Sequence, residues 1–214
     1  MEYWGYFRSS SSYRLRIALG LKGLTADFHP VHLVKDGGQQ KTDAYRAMNP
    51  QALVPVLKTG GDLLTQSPAI LEWLEEVYPD PPLLPQGAVE RAQVRAFCAA
   101  IACEIHPLQN LRVLSYLRTT YGQDQAGVEA WCQRWIGEGL AACEALLAGR
   151  PATRFAFGDA PGLAEVYLVP QMFSAARVKV DTAALPRLTA IAAACAELPA
   201  FADAHPARQP DAEG

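Results

Sequence analysis

Residues 49–70 read NPQALVPVLKTGGDLLTQSPAI and combine two short apolar runs, a glycine pair and a helix start. The two runs flank the turn residues 59–62, which predicts a β-hairpin. Ser67 followed by Pro68 is typical of an N-cap and a first helical residue, so we expect a helix over 69–78. A hairpin that leads directly into a helix indicates an α/β unit.

The same alternation extends upstream to the N-terminus. Residues 2–7 are aromatic-rich and favour a strand, and residues 13–21 carry apolar side chains at helical offsets. A second strand is expected over 26–33 and a short helix over 44–48. Residues 1–82 are therefore predicted to form one α/β domain, which ends in a proline-rich linker.

The chain beyond this linker has a different pattern. Long Ala- and Leu-rich segments with helical periodicity predict an all-helical second domain, residues 88–214. Residues 205–214 are polar and contain proline, so we expect them to be loosely held. The expected helices cover 90–105, 108–121, 128–147, 163–176 and 185–197.

The composition of the chain argues against binding to nucleic acid or to a membrane. Half of the 214 residues are hydrophobic, and 19 basic and 22 acidic side chains give a net charge of -3. Because no basic run could neutralise a phosphate backbone, we expect no nucleic-acid partner. The N-terminus lacks a signal-peptide pattern and no apolar run reaches ~18 residues, so we expect a cytoplasmic protein without a membrane partner.

The cysteines and histidines give no sign of a metal or redox centre. The five cysteines contain no CxxC pair, and the four histidines lack metal-ligand spacing. We therefore expect buried thiols in a reducing compartment and no metal cofactor.

Four consecutive serines, residues 9–12, lie where the first strand gives way to the first helix. A helix N-terminus presents unpaired N–H groups and partial positive charge, so it stabilises an anion or a thiolate. A serine hydroxyl there adds a directed donor. An N-cap followed by a solvated turn explains the same run, so the motif alone does not decide between the two.

Two further features lie near the hairpin. Pro55 lacks the N–H of a central strand, so Val54–Pro55 indicates an edge or a cis bond that turns the Val54 backbone outward, where a peptide ligand could pair with it. Because only ~5% of such bonds are cis, the spacing alone favours an ordinary strand start.

Gln66 and Ser67 offer an amide and a hydroxyl to a carboxylate, or form a plain N-cap. Together with the serine run at 9–12, the Val54–Pro55 and Gln66–Ser67 features suggest a site for a short anionic peptide.

In this order the motifs resemble the zeta class of glutathione transferases over nearly the whole chain. The resemblance implies a glutathione transferase fold: α/β plus all-α, with a thioredoxin-like N-terminal domain followed by an all-helical C-terminal domain, in a homodimer. The matching phrases are YFRSSSSYRLRIAL, HLVKDGGQQ, MNPQALVPVL, TQSPAILEWLEE, IHPLQNLRVL, YLVPQ and HPARQPD.

The resemblance also implies an activity. The matching phrases are similar to those of maleylacetoacetate isomerases, which are enzymes of tyrosine breakdown. These enzymes use glutathione to isomerise a dianionic maleyl-acid from cis to trans. Three alternatives stay open: a maleylpyruvate isomerase of gentisate degradation, a general transferase acting on α-halo acids, and a noncatalytic binding module with the same fold.

Site residues follow from the resemblance position by position. Ser9, Ser10 and Ser11 would form the catalytic loop, with Ser9 stabilising the glutathione thiolate, and Arg8 and Arg177 would bind the substrate carboxylates. The implied glutathione-binding residues are those three serines with Ser12, Gln40 near the glycyl end, Val54 before a cis Pro55, Gln66 and Ser67 at the γ-glutamyl carboxylate, and His106, Asn110, Leu111 and Arg112.

The chain departs from the class at two places. Ser11 replaces a usual cysteine, so chemistry that needs a protein thiol there, such as reductive dehalogenation, becomes doubtful. Gly162 and Glu165 replace the usual Thr and Asp at a helix start in the second domain, and we expect a slightly weaker helix start.

Overall fold

A computed structural model describes residues 1–213, which divide into two compact units. The first unit contains Met1–Leu83 together with residues 196–213, and the second is Leu84–Cys195. The C-terminal segment, residues 196–213, groups with the first unit, whereas the sequence predicts one helical domain over 88–214.

A four-stranded mixed sheet forms the centre of the first unit. The strands are β1 (Glu2–Gly5), β2 (Asp27–Pro30), β3 (Val56–Thr59) and β4 (Asp62–Thr65), in the order β2-β1-β3-β4. Strands β1 and β2 are parallel, whereas β1–β3 and β3–β4 are antiparallel pairs. The predicted hairpin is confirmed, with Thr59 paired to Asp62 across the glycine pair.

Three helices complete this part of the first unit: α1 (Ser10–Leu21), α2 (Asp43–Met48) and α3 (Ser67–Val77). Helix α1 connects the parallel strands β1 and β2, as a crossover helix does, and packs beside α3. Its residues 12–19 are all buried, including two arginines. This thioredoxin-like arrangement confirms the predicted fold class for the first domain.

Lys22, directly after α1, connects this helix to α3 and to the segment that follows α3. Its buried ammonium donates to Glu75 Oε2 at 2.7 Å, to the Tyr78 carbonyl at 2.6 Å and to the Pro81 carbonyl at 3.0 Å. Both Glu75 oxygens accept from the Leu83 N–H at 3.0 Å. A buried charge pair with this many partners keeps its polar groups satisfied.

The second unit is helical, as predicted. Helix α4 (Ala88–Ala99) continues as a π-helical turn, Ala100–Ile105, and a 3-10 turn, His106–Gln109. The helix predicted over 108–121 therefore starts only at Leu111, because Pro107 lacks an N–H and Asn110 caps a new helix. The helices are α4 (Ala88–Ala99), α5 (Leu111–Tyr121), α6 (Gln125–Ala148), α7 (Leu163–Arg177) and α8 (Pro186–Ala196).

Two details of the second unit depend on residue type. Gly139 of α6 packs directly on the Ile105 side chain, and a Cβ at this position would overlap it. Glu165, at the third position of α7, accepts from the N–H groups of Gly162 and Ala156, both at 2.8 Å. Its burial raises the pKa of this carboxyl above the ordinary range. The glutamate thus caps the helix as expected, although the N-cap is glycine.

The C-terminal segment packs on the first unit. Its short helix α9 (Pro199–Ala204) lies so close to α1 that a Cβ on Gly20 would come within 3.1 Å of the Ala200 Cα. Arg16 of α1 donates to the Ala204 carbonyl at 3.0 Å, and the Phe201 ring is buried. The prediction of a loosely held tail is therefore wrong for residues 205–213, which follow this anchored helix; Gly214 lies outside the described residues.

Candidate active site

The four serines form the N-terminus of α1, which begins three residues earlier than predicted. Ser9 is the N-cap, and its hydroxyl accepts from the Ser12 N–H at 3.2 Å. Ser12 is fully buried, and its hydroxyl accepts from the Tyr6 N–H at 3.3 Å. Ser12 is therefore a buried residue that holds the β1–α1 loop, and its assignment to glutathione binding stays a prediction.

The proton of each loop hydroxyl can be assigned from its partners. Ser11 donates its only proton to the Val54 carbonyl at 2.9 Å. The Ser9 and Ser11 hydroxyls lie 3.0 Å apart, so Ser9 must be the donor in that bond. The Ser9 proton thus points at a neutral hydroxyl, and a thiolate at this helix N-terminus would compete with Ser11 for it.

Val54 lies between this serine loop and the sheet. The Val54–Pro55 bond is cis, as the resemblance implies, whereas spacing alone favoured an ordinary strand start. The preceding Leu53 carbonyl accepts from the Tyr45 hydroxyl and the Asn49 amide, both at 2.8 Å. These bonds fix the backbone that the resemblance assigns to the cysteinyl part of glutathione.

Gln66 and Ser67 begin α3 one residue earlier than predicted. Gln66 is the N-cap, with a φ of 66° that few non-glycine residues adopt, and Ser67 is the first helical residue. Such backbone outliers cost about 1–3 kcal/mol and cluster at ligand sites. The Gln66 amide donates to Gln51 Oε1 at 2.6 Å.

Behind Ser67 lies a charge that sequence reasoning missed. Arg14 of α1 is 1% exposed, and its Nη1 donates to the Ser67 hydroxyl at 3.4 Å. Because the hydroxyl oxygen accepts this bond, its own proton stays available for an anion in front of α3. Arg14 occupies a position in an apolar helical pattern, and a charged residue at such a position was the available signal.

Gln40 lies elsewhere in the first unit, in a 3-10 turn. Its Nε2 donates to the Leu33 carbonyl at 3.2 Å, which fixes the orientation of the amide. Its buried Oε1 has no hydrogen-bond partner among residues 1–213.

Arg8 extends from the β1–α1 loop with an exposed side chain. Its Nη2 donates to the Tyr6 hydroxyl at 3.1 Å, and its Cζ lies 5.2 Å from the centroid of the Phe7 ring. Contact with an aromatic face stabilises a guanidinium and limits its motion. The outer edge of this guanidinium can bind a carboxylate.

The second unit carries the other assigned residues. His106 begins a 3-10 turn, and the Asn110 side-chain oxygen accepts from the Arg112 N–H at 3.1 Å. Leu111 and Arg112 are exposed in the first turn of α5, where the helix dipole favours anions. Arg177 is exposed in the last turn of α7.

Four of the five cysteines are buried, but Cys103 is exposed, so the expectation that all five are buried is wrong there. Burial raises the pKa of Cys143 to about 12 and also raises the pKa of Cys132 and Cys195, which keeps these thiols protonated and poorly nucleophilic. Within residues 1–213 no three metal-ligating side chains converge, and no helix is long and apolar enough to span a membrane.

Known proteins match this chain over its whole length. Residues 5–82 match the family model of the glutathione S-transferase N-terminal domain. A maleylacetoacetate isomerase of Pseudomonas aeruginosa is 50% identical over 99% of this chain and 98% of its own length. A zeta-class maleylpyruvate isomerase of known structure is 52% identical, with full coverage of both chains and a TM-score of 0.97. The chain belongs to the zeta-class glutathione transferases.

The ligands of one relative bear on the site of this zeta-class transferase. The structure of a maleylacetoacetate isomerase from Methylobacterium extorquens contains glutathione and malonate. It is 36% identical, covers both chains fully and has a TM-score of 0.95. That relative therefore binds the tripeptide and a small dicarboxylate.

Proposed function

We propose that this zeta-class transferase is a glutathione-dependent isomerase that converts maleylacetoacetate to fumarylacetoacetate in tyrosine breakdown. The observation that carries the proposal is the Ser9 hydroxyl, a donor at the N-terminus of α1 whose proton is bound by the neutral Ser11 hydroxyl. Bound glutathione supplies a thiolate that adds to the maleyl double bond and leaves after rotation about the resulting single bond.

The chain's own groups fit glutathione along its length. Ser9 and the α1 N-terminus lower the thiol pKa of the ligand by stabilising its anion. Ser67, with Arg14 behind it, offers a proton to the γ-glutamyl carboxylate. Gln40, in its 3-10 turn, lies near the glycyl end of the tripeptide in this proposal. The Val54 backbone pairs with the cysteinyl residue.

Arginines bind the dianionic substrate in this proposal. Arg8 and Arg177 each bind one substrate carboxylate while the substrate rotates about the carbon–carbon bond between the two carboxylates. The arginines thus position the substrate and stabilise its charge, and they transfer no proton. The proposal keeps His106, Asn110, Leu111 and Arg112 as glutathione-binding residues. Ser10 supports the loop between Ser9 and Ser11.

A second candidate substrate is maleylpyruvate, since a maleylpyruvate isomerase is as similar to this chain as a maleylacetoacetate isomerase. The two acids share the maleyl end and differ beyond it. Ser11 in place of the usual cysteine argues against a reaction on α-halo acids that needs a protein thiol.

The oligomer and compartment form part of the proposal. The homodimer is inferred from the resemblance to the zeta class, and light scattering would test it. The odd number of cysteines and the lack of a CxxC pair support a reducing, cytoplasmic location.

The test compares isomerisation of maleylacetoacetate and maleylpyruvate with and without glutathione. Ser9→Ala should lower kcat about 10²-fold, as loss of one directed anion donor does. Ser115→Ala, which removes an exposed hydroxyl in α5, should leave kcat unchanged. Tight glutathione binding without turnover of either acid would favour a general transferase. Absence of glutathione binding would favour a noncatalytic module.

A further inference from the structure

The end of the chain is bound to the loop that carries Arg8. The Phe7 N–H donates to Asp211 Oδ2 at 2.9 Å, and the Phe7 carbonyl accepts from Arg16 Nη2 at 3.0 Å. Ala212 packs against the apolar cluster that includes Phe7. Because Phe7 directly precedes Arg8, these contacts fix the backbone from which the Arg8 side chain extends.

A second set of contacts reaches the Arg8 guanidinium itself. Arg8 Nη2 donates to the Tyr6 hydroxyl at 3.1 Å, and that hydroxyl lies 3.5 Å from His32 Nε2. Glu213 Oε1 lies 3.1 Å from the same His32 nitrogen and 2.7 Å from Lys35 Nζ. Glu213 and Arg8 are therefore connected through two intervening side chains.

Backbone contacts determine the direction of the bond from His32. Its Nδ1 accepts from the N–H groups of Lys35 at 2.8 Å and Val34 at 3.1 Å, so it carries no proton in this geometry. The proton of the neutral ring is then on Nε2, which donates to Glu213. Glu213 therefore holds the imidazole ring that packs edge-on against Tyr6.

We propose that Asp211 and Glu213 are positioning residues for Arg8, the residue that binds one substrate carboxylate; this rests on the proposed function. An exposed arginine loses substantial side-chain entropy when it is fixed on a ligand. Asp211 fixes the backbone of the loop, and Glu213 fixes the ring beside Tyr6. Arg8 is therefore held near its binding orientation before the substrate arrives, which lowers that entropic cost.

Binding measurements can test this without turnover. The probe is the saturated adduct of glutathione and maleate, which carries two extra carboxylates, and its affinity is compared with that of glutathione by calorimetry. Asp211→Ala and Glu213→Ala should each weaken adduct binding about fivefold and leave glutathione binding nearly unchanged, as expected for one lost hydrogen bond. Asp211→Asn, whose amide oxygen still accepts from Phe7, should restore most of the affinity.

Two controls make the experiment decisive. Asp203→Ala removes an exposed carboxylate of the same segment, which pairs with the exposed Arg208, and should change neither affinity. In an Arg8→Ala background, Asp211→Ala should cause no further loss, because its effect passes through Arg8.

Additive losses in that double variant, equal losses for both ligands, or unchanged adduct binding in both alanine variants would overturn the proposal. Thermal unfolding of each variant separates these results from loss of the fold, and Glu213 is exposed enough that its replacement should not unfold the chain. The proposed function fails separately, if wild type binds neither ligand or isomerises neither acid.

Discussion

Replacing Lys22 with methionine tests the charge pair that ties α1 and α3 to the chain leaving the first unit. Methionine has a similar length but no donor, so three bonds to Glu75, Tyr78 and Pro81 are lost. The Lys22 side chain is 0% exposed, so water does not replace them. The Glu75 carboxylate stays buried without its cation.

The magnitude follows from this burial. Removing one partner of a buried, hydrogen-bonded ion pair costs about 3–5 kcal/mol of unfolding free energy, because the remaining charge is uncompensated. For a chain of this size that loss lowers Tm by roughly 6–20 °C. Lys22→Met/Glu75→Leu removes both charges and should recover part of the loss.

Urea unfolding followed by circular dichroism measures the difference as a change in midpoint. The matched control is Arg134→Met, which breaks a pair with Glu138 whose side chains are 67% and 58% exposed, and it should cost about 0.5 kcal/mol or less. A loss below about 1 kcal/mol for Lys22→Met, or a double variant no more stable than the single one, would refute the reasoning.

Three further perturbations have defined outcomes. Gly139→Ala should lower the unfolding free energy by about 1–3 kcal/mol because its Cβ overlaps Ile105, whereas Gly149→Ala, with open space around it, should not; urea midpoints compare them. Iodoacetamide should label Cys103 in the native protein and the other cysteines only after unfolding, as mass spectrometry would show. Glu165 has a raised native pKa, so its contribution to stability is present below its ordinary pKa and is lost as pH rises through the native value. Glu165→Gln should not show this loss. If the free energy of unfolding of the wild type minus that of the variant stays constant between about pH 4 and pH 8, the assignment is contradicted.

Local chemistry made most of the fold predictable. The glycine pair at 60–61 specifies the hairpin, and uninterrupted apolar periodicity specifies α6 and α7 within a few residues. The predicted helix starts were wrong where a polar residue could serve either in a turn or in the helix. The serine run reads as a turn, yet Ser10–Ser12 are already helical, because Ser9 supplies the cap.

The site was predictable only where it is built from neighbours in sequence. The bonds from Arg14 to Ser67 and from Phe7 to Asp211 join residues 53 and 204 positions apart, which no local pattern encodes. The tail from residue 205 is polar, and composition alone predicts a loose end. Its order comes from Asp211 and Ala212, which contact a surface that exists only after the sheet has formed.

In the proposed site, the bond from Ser9 to Ser11 would make the loop sensitive to the ionisation state of the glutathione sulfur. A thiolate forms a charge-assisted hydrogen bond about twice as strong as a neutral one, so it would replace Ser11 as the acceptor of the Ser9 hydroxyl. A neutral thiol or a thioether sulfur is a weaker acceptor than the Ser11 hydroxyl and would leave the bond between the two serines intact. Ser11 would therefore compete with the ligand for Ser9, and an anionic sulfur would displace it more readily than a neutral one.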